Sequence, residues 1–203
     1  MTRAPASRPA RQRLLDAAGE LFYESGIAAT GVDAVLARAQ VSPATLYAHF
    51  AGKDGLVAAY LEHRFRHWRQ SWDEVLAERT DPVDRLLSVF DAVVRYREAE
   101  GNRRGCAFLA AATELPPDHP GQQWLAADSR LLAERLSELA EEAGVVDPTE
   151  VADGLLAFYD GALARMARQA VAPGLDTGNP VERARQVAAE WLTGRMLQAS
   201  PTG

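Results

Sequence analysis

The chain has 203 residues and a formal net charge of −6 at pH 7, and 47% of its residues are hydrophobic. A chain of this length can hold a small domain together with a larger one, each with its own core. The single cysteine, Cys106, excludes an internal disulfide and any zinc site with two or more Cys ligands. Because 38 alanines and 23 leucines accompany only one isoleucine, the composition favours helix over strand and predicts an all-α fold.

The first ten residues, MTRAPASRPA, combine proline, arginine and small residues, and we expect residues 1–10 to form a flexible arm. Arg3, Arg8 and, just beyond the arm, Arg11 are placed to reach a phosphate or a minor groove if the chain binds DNA. A solvated tail explains the same composition equally well.

Residues 11–55 predict three short helices. A periodic apolar run, which includes Leu14, Ala18 and Phe22, precedes Gly26, at a point where a helix end favours a left-handed residue. The pattern Thr30-Gly31-Val32-Asp33 is a Thr-x-x-Asp capping signature that predicts the start of the second helix.

The third helix is predicted from a cap and an apolar pair. Ser42 is expected to cap it, and Pro43 lies in its first turn, where a missing N–H costs nothing. Leu46 and Phe50 keep the i, i+4 spacing that seats a helix on its neighbours. The residues left to face outward are Pro43, Ala44, Thr45, Tyr47, Ala48 and His49.

Two short helices joined by a tight turn, the second of them small-residued and polar, are typical of a helix-turn-helix that enters the DNA major groove. Small side chains allow close approach, while hydroxyl and imidazole groups can hydrogen-bond phosphates or base edges. Taken singly, Tyr47 and His49 are explained equally well as half-exposed helix residues. Taken as a set within this pattern, they favour DNA binding.

The charge distribution agrees with this interpretation. Residues 1–70 carry nine Lys/Arg and six Asp/Glu, a net of +3, whereas residues 71–203 carry thirteen and twenty-two, a net of −9. A basic head on an acidic body can attract the phosphate backbone although the whole chain is acidic. The excess on the head is small and would not indicate DNA binding by itself.

The same stretch resembles the DNA-binding segment of TetR-family transcriptional regulators. The resemblance implies that Thr30, Tyr47, His49 and Lys53 contact phosphates, and that Pro43, Ala44, Thr45 and Ala48 lie nearest the bases; with Ser42 they form the expected DNA-binding set. The matching positions are Gly26, Thr30, Val32, Asp33, Ala39, Val41, Ser42, Thr45, Leu46, Tyr47, His49, Phe50, Lys53 and Leu56.

The turn departs from the family pattern at one position that matters. Gln40 stands where the family usually has glycine, so it must accept the backbone conformation that glycine supplies, with modest strain if φ is positive. The preceding helix has Val35-Leu36 in place of the usual Ile-Ala pair, which leaves its apolar pattern intact.

Residues 56–203 predict a larger helical domain for effector binding and dimerisation. One long helix is expected from residue 53 to about 79, and further helices around 106–115 and 121–143. Asp81, Asp147 and Asn179 each precede a proline and an acidic residue, which predicts three more helix starts. The total is about nine helices, the number that the TetR resemblance implies.

An apolar effector pocket between these helices is expected from the aromatic content, although a row of aromatic residues at helical spacing is more often plain core. Residues 105–121 resemble a segment of one subgroup of TetR-type ligand-binding domains, without indicating the ligand. Glu114, His67 and Tyr159 are candidate polar anchors, each also explained as a structural residue, and a redox role for Cys106 stays open. The candidate pocket residues are Trp68, Trp72, Phe90, Val94, Phe108, Trp124, Phe158 and Tyr159.

The last two helices are expected to form a two-fold, four-helix dimer interface, as the resemblance implies. Gly154, Gly161, Ala188 and Gly194 would allow close approach. The same faces are alternatively needed inside one subunit. The candidate interface residues are Val151, Leu155, Phe158, Ala162, Met166, Val187, Trp191 and Leu197.

These observations predict a homodimeric transcriptional regulator, a repressor that a small, apolar effector releases from a palindromic double-stranded DNA operator. The alternative is a DNA-bound organising factor controlled by a protein partner. We expect no enzyme and no cofactor, since the sequence shows no nucleophile elbow and no phosphate-binding loop, and no metal site, since its four histidines are scattered. No apolar stretch approaches the roughly 20 residues that span a bilayer, and no apolar signal core is present, so a cytoplasmic location is expected.

Overall fold

The structure is a computed structural model that describes residues 8–100, 106–172 and 178–199. Within these ranges it is all-α, as predicted, and no β-strand occurs. The ten helices are α1 (Ala10–Ser25), α2 (Val32–Ala39), α3 (Pro43–His49), α4 (Gly52–Ala77), α5 (Pro82–Leu86), α6 (Ser88–Glu100), α7 (Ala107–Glu114), α8 (Gln122–Glu142), α9 (Pro148–Val171) and α10 (Pro180–Ala199).

The described residues form two compact units. Unit 1 holds those up to Arg64 together with Ala107–Leu125, and unit 2 holds Phe65–Cys106 together with those from Ala126 onward. Helices α4 and α8 therefore contribute residues to both units. The functional boundaries expected at residues 10 and 55 stay predictions. None of the described helices combines the length and the apolar character needed to cross a membrane.

The predicted helix starts are present. Asp81 and Asp147 each accept a hydrogen bond from the backbone N–H three residues on, at 2.9 and 3.3 Å. Asn179 accepts one from the N–H of Val181 at 3.0 Å. Each of these caps precedes a proline in the first turn. Because a side-chain oxygen satisfies an N–H that the helix itself cannot, the three starts follow from local sequence.

Ten helices replace the predicted nine because the helix that begins at Pro82 is interrupted at Leu87. Leu87 has φ −81° and ψ −4°, and the N–H of Phe90 bonds the Leu87 carbonyl at 3.2 Å, which is the shorter 3₁₀ spacing. Neither glycine nor proline marks the site. Leu86 and Leu87 are both buried at the break.

Unit 1 is built around α1, which packs against α2 and α3. The apolar stripe predicted for α1 is buried, and it meets the apolar face of α2 and a single leucine of α3. This packing holds the face of α3 that carries Leu46 against α1 and leaves the opposite face exposed to solvent. The core residues concerned are Leu14, Ala18, Phe22, Val35, Leu36, Ala39, Leu46 and Phe50.

Unit 2 has a larger core in which the second half of α4 meets α6, α8, α9 and α10. Trp72 is fully buried, and its indole N–H donates to the Ser88 hydroxyl at 2.9 Å. A buried N–H that finds an acceptor avoids a desolvation cost of about 1–3 kcal/mol. Phe90, Leu136 and Leu155 complete the centre of this core.

Candidate nucleic-acid interface

The connection from α1 to α2 differs from the expected one at Thr30. The side chain of Thr30 is buried, with its hydroxyl 2.7 Å from the Gly26 carbonyl and 3.2 Å from that of Leu21. Gly31 occupies the N-cap position of α2, where no side chain bonds the backbone. The predicted Thr30 cap is therefore wrong, because the carbonyl groups at the end of α1 engage its hydroxyl instead.

The turn between α2 and α3 has the left-handed residue expected at Gln40. Its φ is 54° and its ψ is 52°. The N–H of Gln40 bonds the Ala37 carbonyl at 3.3 Å, and that of Val41 bonds the Leu36 carbonyl at 3.2 Å. These two bonds close the C-terminus of α2. Because Gln40 is not a glycine, its left-handed conformation costs roughly 1–2 kcal/mol.

Helix α3 begins as predicted. The Ser42 hydroxyl oxygen accepts a bond from the Thr45 N–H at 3.3 Å and lies 2.9 Å from the Thr45 hydroxyl. Pro43 is in its first turn. Leu46 is 1% exposed, and the N–H of Phe50 bonds the Leu46 carbonyl at 2.8 Å, which ends the helix.

The opposite face of α3 is open to solvent. Tyr47 is 67% exposed, Thr45 is half-buried, and Lys53 lies half-buried at the second position of α4. The orientation agrees with the spacing of Leu46 and Phe50, which leaves the intervening residues outside. The other exposed residues of this face are Ser42, Pro43, Ala44, Ala48 and His49.

The arginines beside this face already have partners in unit 1. Arg8 forms an ion pair with Asp16 at 2.7 Å, and the Arg11 guanidinium lies over the Phe50 ring, 5.3 Å from its centroid. Arg3 lies outside the described residues. The Arg11 contact holds a basic side chain against Phe50, directly after α3, whereas the charge of Arg8 is offset by Asp16.

Two residues that sequence reasoning did not connect to the head contact it from residues 107–125. The Glu114 carboxylate accepts a bond from the Ala28 N–H at 2.6 Å, in the turn between α1 and α2. The His119 imidazole accepts one from the Gly121 N–H and faces the Asp54 carboxylate at 3.5 Å. Ala28 and Glu114 are 86 residues apart, and no local sequence signal predicts such a contact. Glu114, which was considered above as a ligand anchor, therefore has a structural hydrogen-bond partner.

The candidate pocket residues do not all belong to one unit. Phe108 and Trp124 lie in unit 1, and the other six lie in unit 2. Trp68, Trp72, Phe90 and Tyr159 are buried in the unit 2 core, whereas Val94 and Phe158 are half-buried. His67 is exposed rather than directed into this core.

The face of α9 expected at the dimer interface is partly turned into its own subunit. Val151, Leu155 and Ala162 are 0%, 0% and 3% exposed without any second chain, so the structure assigns them to the core. The buried face of α9 repeats at helical spacing and contains Val151, Leu155, Tyr159 and Ala162. The sequence alone did not show whether this face points into its own subunit or toward a second one.

The remaining candidates lie on or near the surface. Phe158, Met166, Val187 and Trp191 are half-buried, and Leu197 is 72% exposed. The Trp191 ring lies so close to Gly154 that an added Cβ would come within 2.5 Å of it. Gly154 thus allows α9 and α10 to pack closely within one subunit, in agreement with the alternative interpretation of these faces.

A groove lies beside Phe158 on the outer face of α9. Its volume is about 310 Å³, and Gly161 and Arg165 of α9 line it together with Pro180, Ala184 and Val187 of α10. The groove is therefore continuous with the exposed members of the candidate dimer face.

Comparison with known proteins agrees with this architecture. Residues 14–60 match the sequence profile of bacterial regulatory proteins of the tetR family. The HTH-type transcriptional repressor DhaR of Mycobacterium sp. (strain GP1) is 25% identical over 175 residues, which cover 79% of this chain and 84% of that repressor. The A-factor receptor protein of Streptomyces griseus is 26% identical over 155 residues, 73% of this chain and 51% of the receptor.

Among solved structures, SCO4454, a TetR-family transcriptional regulator from Streptomyces coelicolor, superimposes with a TM-score of 0.77. It is 30% identical, and the match covers 94% of this chain and 90% of that one. Because this identity extends over nearly all of both chains and the head matches the family profile, the chain belongs to the TetR family of DNA-binding transcriptional regulators and is not an enzyme.

Proposed function

We propose that the protein is a homodimeric repressor that binds a palindromic operator in the cytoplasm and is released from it by a small, mainly apolar effector. In this proposal the two copies of α3 enter successive major grooves about 34–36 Å apart. The effector stabilises a conformation in which that spacing no longer fits DNA, and its maximal effect equals its difference in affinity for the two conformations.

The observation that carries the proposal is the solvent-exposed face of α3. Pro43, Ala44 and Ala48 are small and exposed, so the helix backbone can approach base edges closely. Thr45 is half-buried at the edge of this face. We propose that these four residues lie nearest the bases, where alanine is suited to contact a thymine methyl group.

The phosphate contacts are proposed for the polar residues that surround this small-residue face. Ser42, Tyr47 and His49 are exposed, and Lys53 lies at the first turn of the next helix. Such contacts position a helix in the groove without reading sequence. Thr30 is buried with its hydroxyl turned inward, so a contact from Thr30 would have to come from its backbone.

The effector is proposed to bind within unit 2, where Trp68, Trp72, Phe90 and Tyr159 meet. The ring centroid of Trp68 lies 5.6 Å from that of Trp72 and 6.2 Å from that of Tyr159, so several aromatic rings are grouped here. One relative, the A-factor receptor protein, is named as a receptor, which supports a ligand-responsive role.

Dimerisation is proposed through the exposed parts of α9 and α10. Phe158, Val187 and Trp191 remain partly exposed in the single chain, and an apolar groove adjoins them. Covering such a surface with a second copy would remove apolar area from water. The alternative role, an organising factor under a protein partner, is not favoured, because the curated relatives are transcriptional regulators and repressors.

The test is selection of bound sequences from random duplex DNA with the purified full-length protein at physiological salt. We expect a palindromic motif whose half-sites lie about one helical turn apart. Ala44→Glu, which places a carboxylate on the exposed face of α3, should abolish selection. Ala126→Glu makes the same change at an exposed position of α8 and should leave selection intact. Recovery of no motif, with only salt-sensitive binding, would contradict the proposal.

A further inference from the structure

Unit 2 buries a carboxyl group that the described residues do not pair. Asp128 of α8 is 7% exposed, and its Oδ1 atom has no hydrogen-bond partner among the described residues. Buried carboxyl groups in folded proteins are ordinarily hydrogen-bonded or paired with a cation, because burial otherwise costs free energy. This exception therefore requires a physical explanation.

A second unpaired polar group lies in the same core. Trp68 is 3% exposed, and its indole N–H finds no acceptor among the described residues. Trp72, one helical turn away, provides the contrast, because its N–H is bonded to Ser88 at 2.9 Å. The core thus provides a hydrogen-bond acceptor for the indole N–H of Trp72 but none, among the described residues, for that of Trp68.

The two groups are linked through the aromatic residues of α6 and α9. The Trp68 ring lies 5.9 Å from that of Tyr96 and 6.2 Å from that of Tyr159. Burial raises the pKa of Tyr159 most, followed by Cys106 and then by Asp128, so Asp128 lies within electrostatic range of the same ring. We name Trp68, Tyr96, Asp128, Tyr159 and Asp160 the Asp128 cluster.

The charged groups of this cluster are both carboxyl groups. Burial, followed by the neighbouring Asp160 carboxylate, raises the pKa of Asp128 to about 7. Burial also raises the pKa of Asp160. No lysine or arginine of the described ranges contributes to either shift. Among the described residues, therefore, no positive charge offsets these two carboxyl groups.

We propose that the Asp128 cluster binds the amine end of the effector, so that the effector is an apolar molecule with a single basic nitrogen. The inference rests on the proposed effector-responsive function and specifies its ligand. Asp128 accepts hydrogen bonds from the ammonium group, and the faces of Trp68, Tyr96 and Tyr159 add cation–π attraction. The Trp68 N–H remains free to donate to an acceptor on the ligand body.

Other ligand classes fit this cluster less well. An anion would meet two carboxyl groups and no cation of the described ranges, so like charges would oppose its binding. A purely hydrocarbon ligand would leave both Asp128 and Trp68 unpaired in an even drier site, which raises the cost of their burial. A small cation with no apolar body would leave the aromatic walls unused.

The experiment measures the binding of three probes of similar size to the full-length wild-type protein by titration calorimetry. The probes are 2-naphthylmethylamine, its neutral analogue 2-naphthalenemethanol, and the anion 2-naphthoate. We expect the amine to bind about tenfold more tightly than the alcohol, which corresponds to one charge-assisted contact with cation–π support. Naphthoate should bind most weakly.

The matched variants are Asp128→Asn, which keeps the shape and removes the charge, and Asp153→Asn, which makes the same change at an exposed position of α9. Asp128→Asn should reduce the preference for the amine to about threefold or less, whereas Asp153→Asn should retain it. Equal binding of amine and alcohol by the wild type, or no binding of the amine, would overturn the inference without any variant. An unchanged preference in Asp128→Asn would overturn it as well.

The DNA selection described above separates the two proposals. If an operator is selected but the amine is not preferred, the effector assignment alone fails. If the amine is preferred in an Asp128-dependent way while no operator is selected, the ligand site stands and the repressor function fails.

Discussion

Lys53 is the residue at which the proposed phosphate contacts are tested most directly, since it carries a full charge beside α3. Lys53→Ala should weaken binding to the operator and to random duplex by a similar factor, about fivefold to tenfold, and should reduce the slope of log K against log salt by about 1. His49→Ala should also weaken binding to all sequences alike. The measurement is a fluorescence titration at several salt concentrations.

The control for this charge change is Arg130→Ala, since Arg130 is exposed on α8. It should leave both affinity and salt slope close to those of the wild type. A Lys53 variant that changed sequence preference while keeping the wild-type slope would assign this residue to the bases instead.

The protonation of Asp128 should make the free energy of unfolding depend on pH. Its pKa rises from 3.8 to about 7 on folding, because burial and, second, Asp160 disfavour its charged form. Between these values the folded chain holds a proton that the unfolded chain has released. The free energy of unfolding should therefore fall as pH rises, by up to about 1.4 kcal/mol per unit, with the full cost present above about pH 7.

Asp128→Asn should reduce this slope and leave the contribution of Asp160, whose pKa burial also raises. The variant should unfold at a higher denaturant concentration than the wild type at about pH 8, where the cost of Asp128 is complete. Denaturant unfolding followed by circular dichroism from about pH 5 to about pH 8 measures it. Asp153→Asn, exposed on α9, should keep the wild-type slope. Parallel pH profiles for wild type and Asp128→Asn would refute the raised pKa.

At the scale of the element, the short helices of the head could be predicted because their ends are specified locally. Ser42 caps α3 and Gly26 ends α1 with φ 92°, as their residue types indicate. Thr30 is the exception, since its pattern predicts a cap but its hydroxyl lies against the Gly26 and Leu21 carbonyls. The carbonyl groups of Gly26 and Leu21 compete for the Thr30 hydroxyl only once the turn has packed, so the Thr-x-x-Asp pattern does not reveal them.

Gln40 gives a prediction for the turn between α2 and α3. Its φ of 54° favours glycine or asparagine over a β-branched residue. Gln40→Gly and Gln40→Asn should change the free energy of unfolding by less than about 1 kcal/mol, because relief of strain offsets the added chain entropy of glycine. Gln40→Val should destabilise the protein by about 1–2 kcal/mol or more.

Chemical denaturation of the four proteins under identical conditions provides the ranking. The denaturant dependence of the free energy should be the same in all of them, which shows that only the folded turn has changed. A valine variant as stable as the wild type would mean that the turn does not require a left-handed residue.

At the scale of the whole molecule, the proposed dimer gives a prediction that depends on which face of α9 is exposed. Phe158→Asp or Leu197→Asp should convert the protein to a monomer, because each places a charge on a surface that we propose the second copy covers. Light scattering measures the mass. Operator affinity should fall by at least about tenfold, since a monomer occupies only one half-site.

Val146→Asp is the matched control, because Val146 is 65% exposed just before α9 and lies outside the proposed face. It should remain dimeric. Unchanged helix content by circular dichroism in the Phe158 and Leu197 variants separates loss of the interface from loss of the fold. A dimer that persists in both would place the interface elsewhere.

The sequence by itself determined most of the helices, the caps at Ser42, Asp81, Asp147 and Asn179, and the exposed face of α3, because these depend on interactions within a few residues. It did not determine the start of α2 or the break at Leu87. Only the tertiary structure decided which faces of the body helices are covered. It turns Val151, Leu155 and Ala162 inward, brings Glu114 to the Ala28 N–H, and leaves Asp128 and Trp68 unpaired in one core. Helical periodicity defines an apolar stripe but not the direction in which it points, and contacts between distant segments arise only when the whole chain packs.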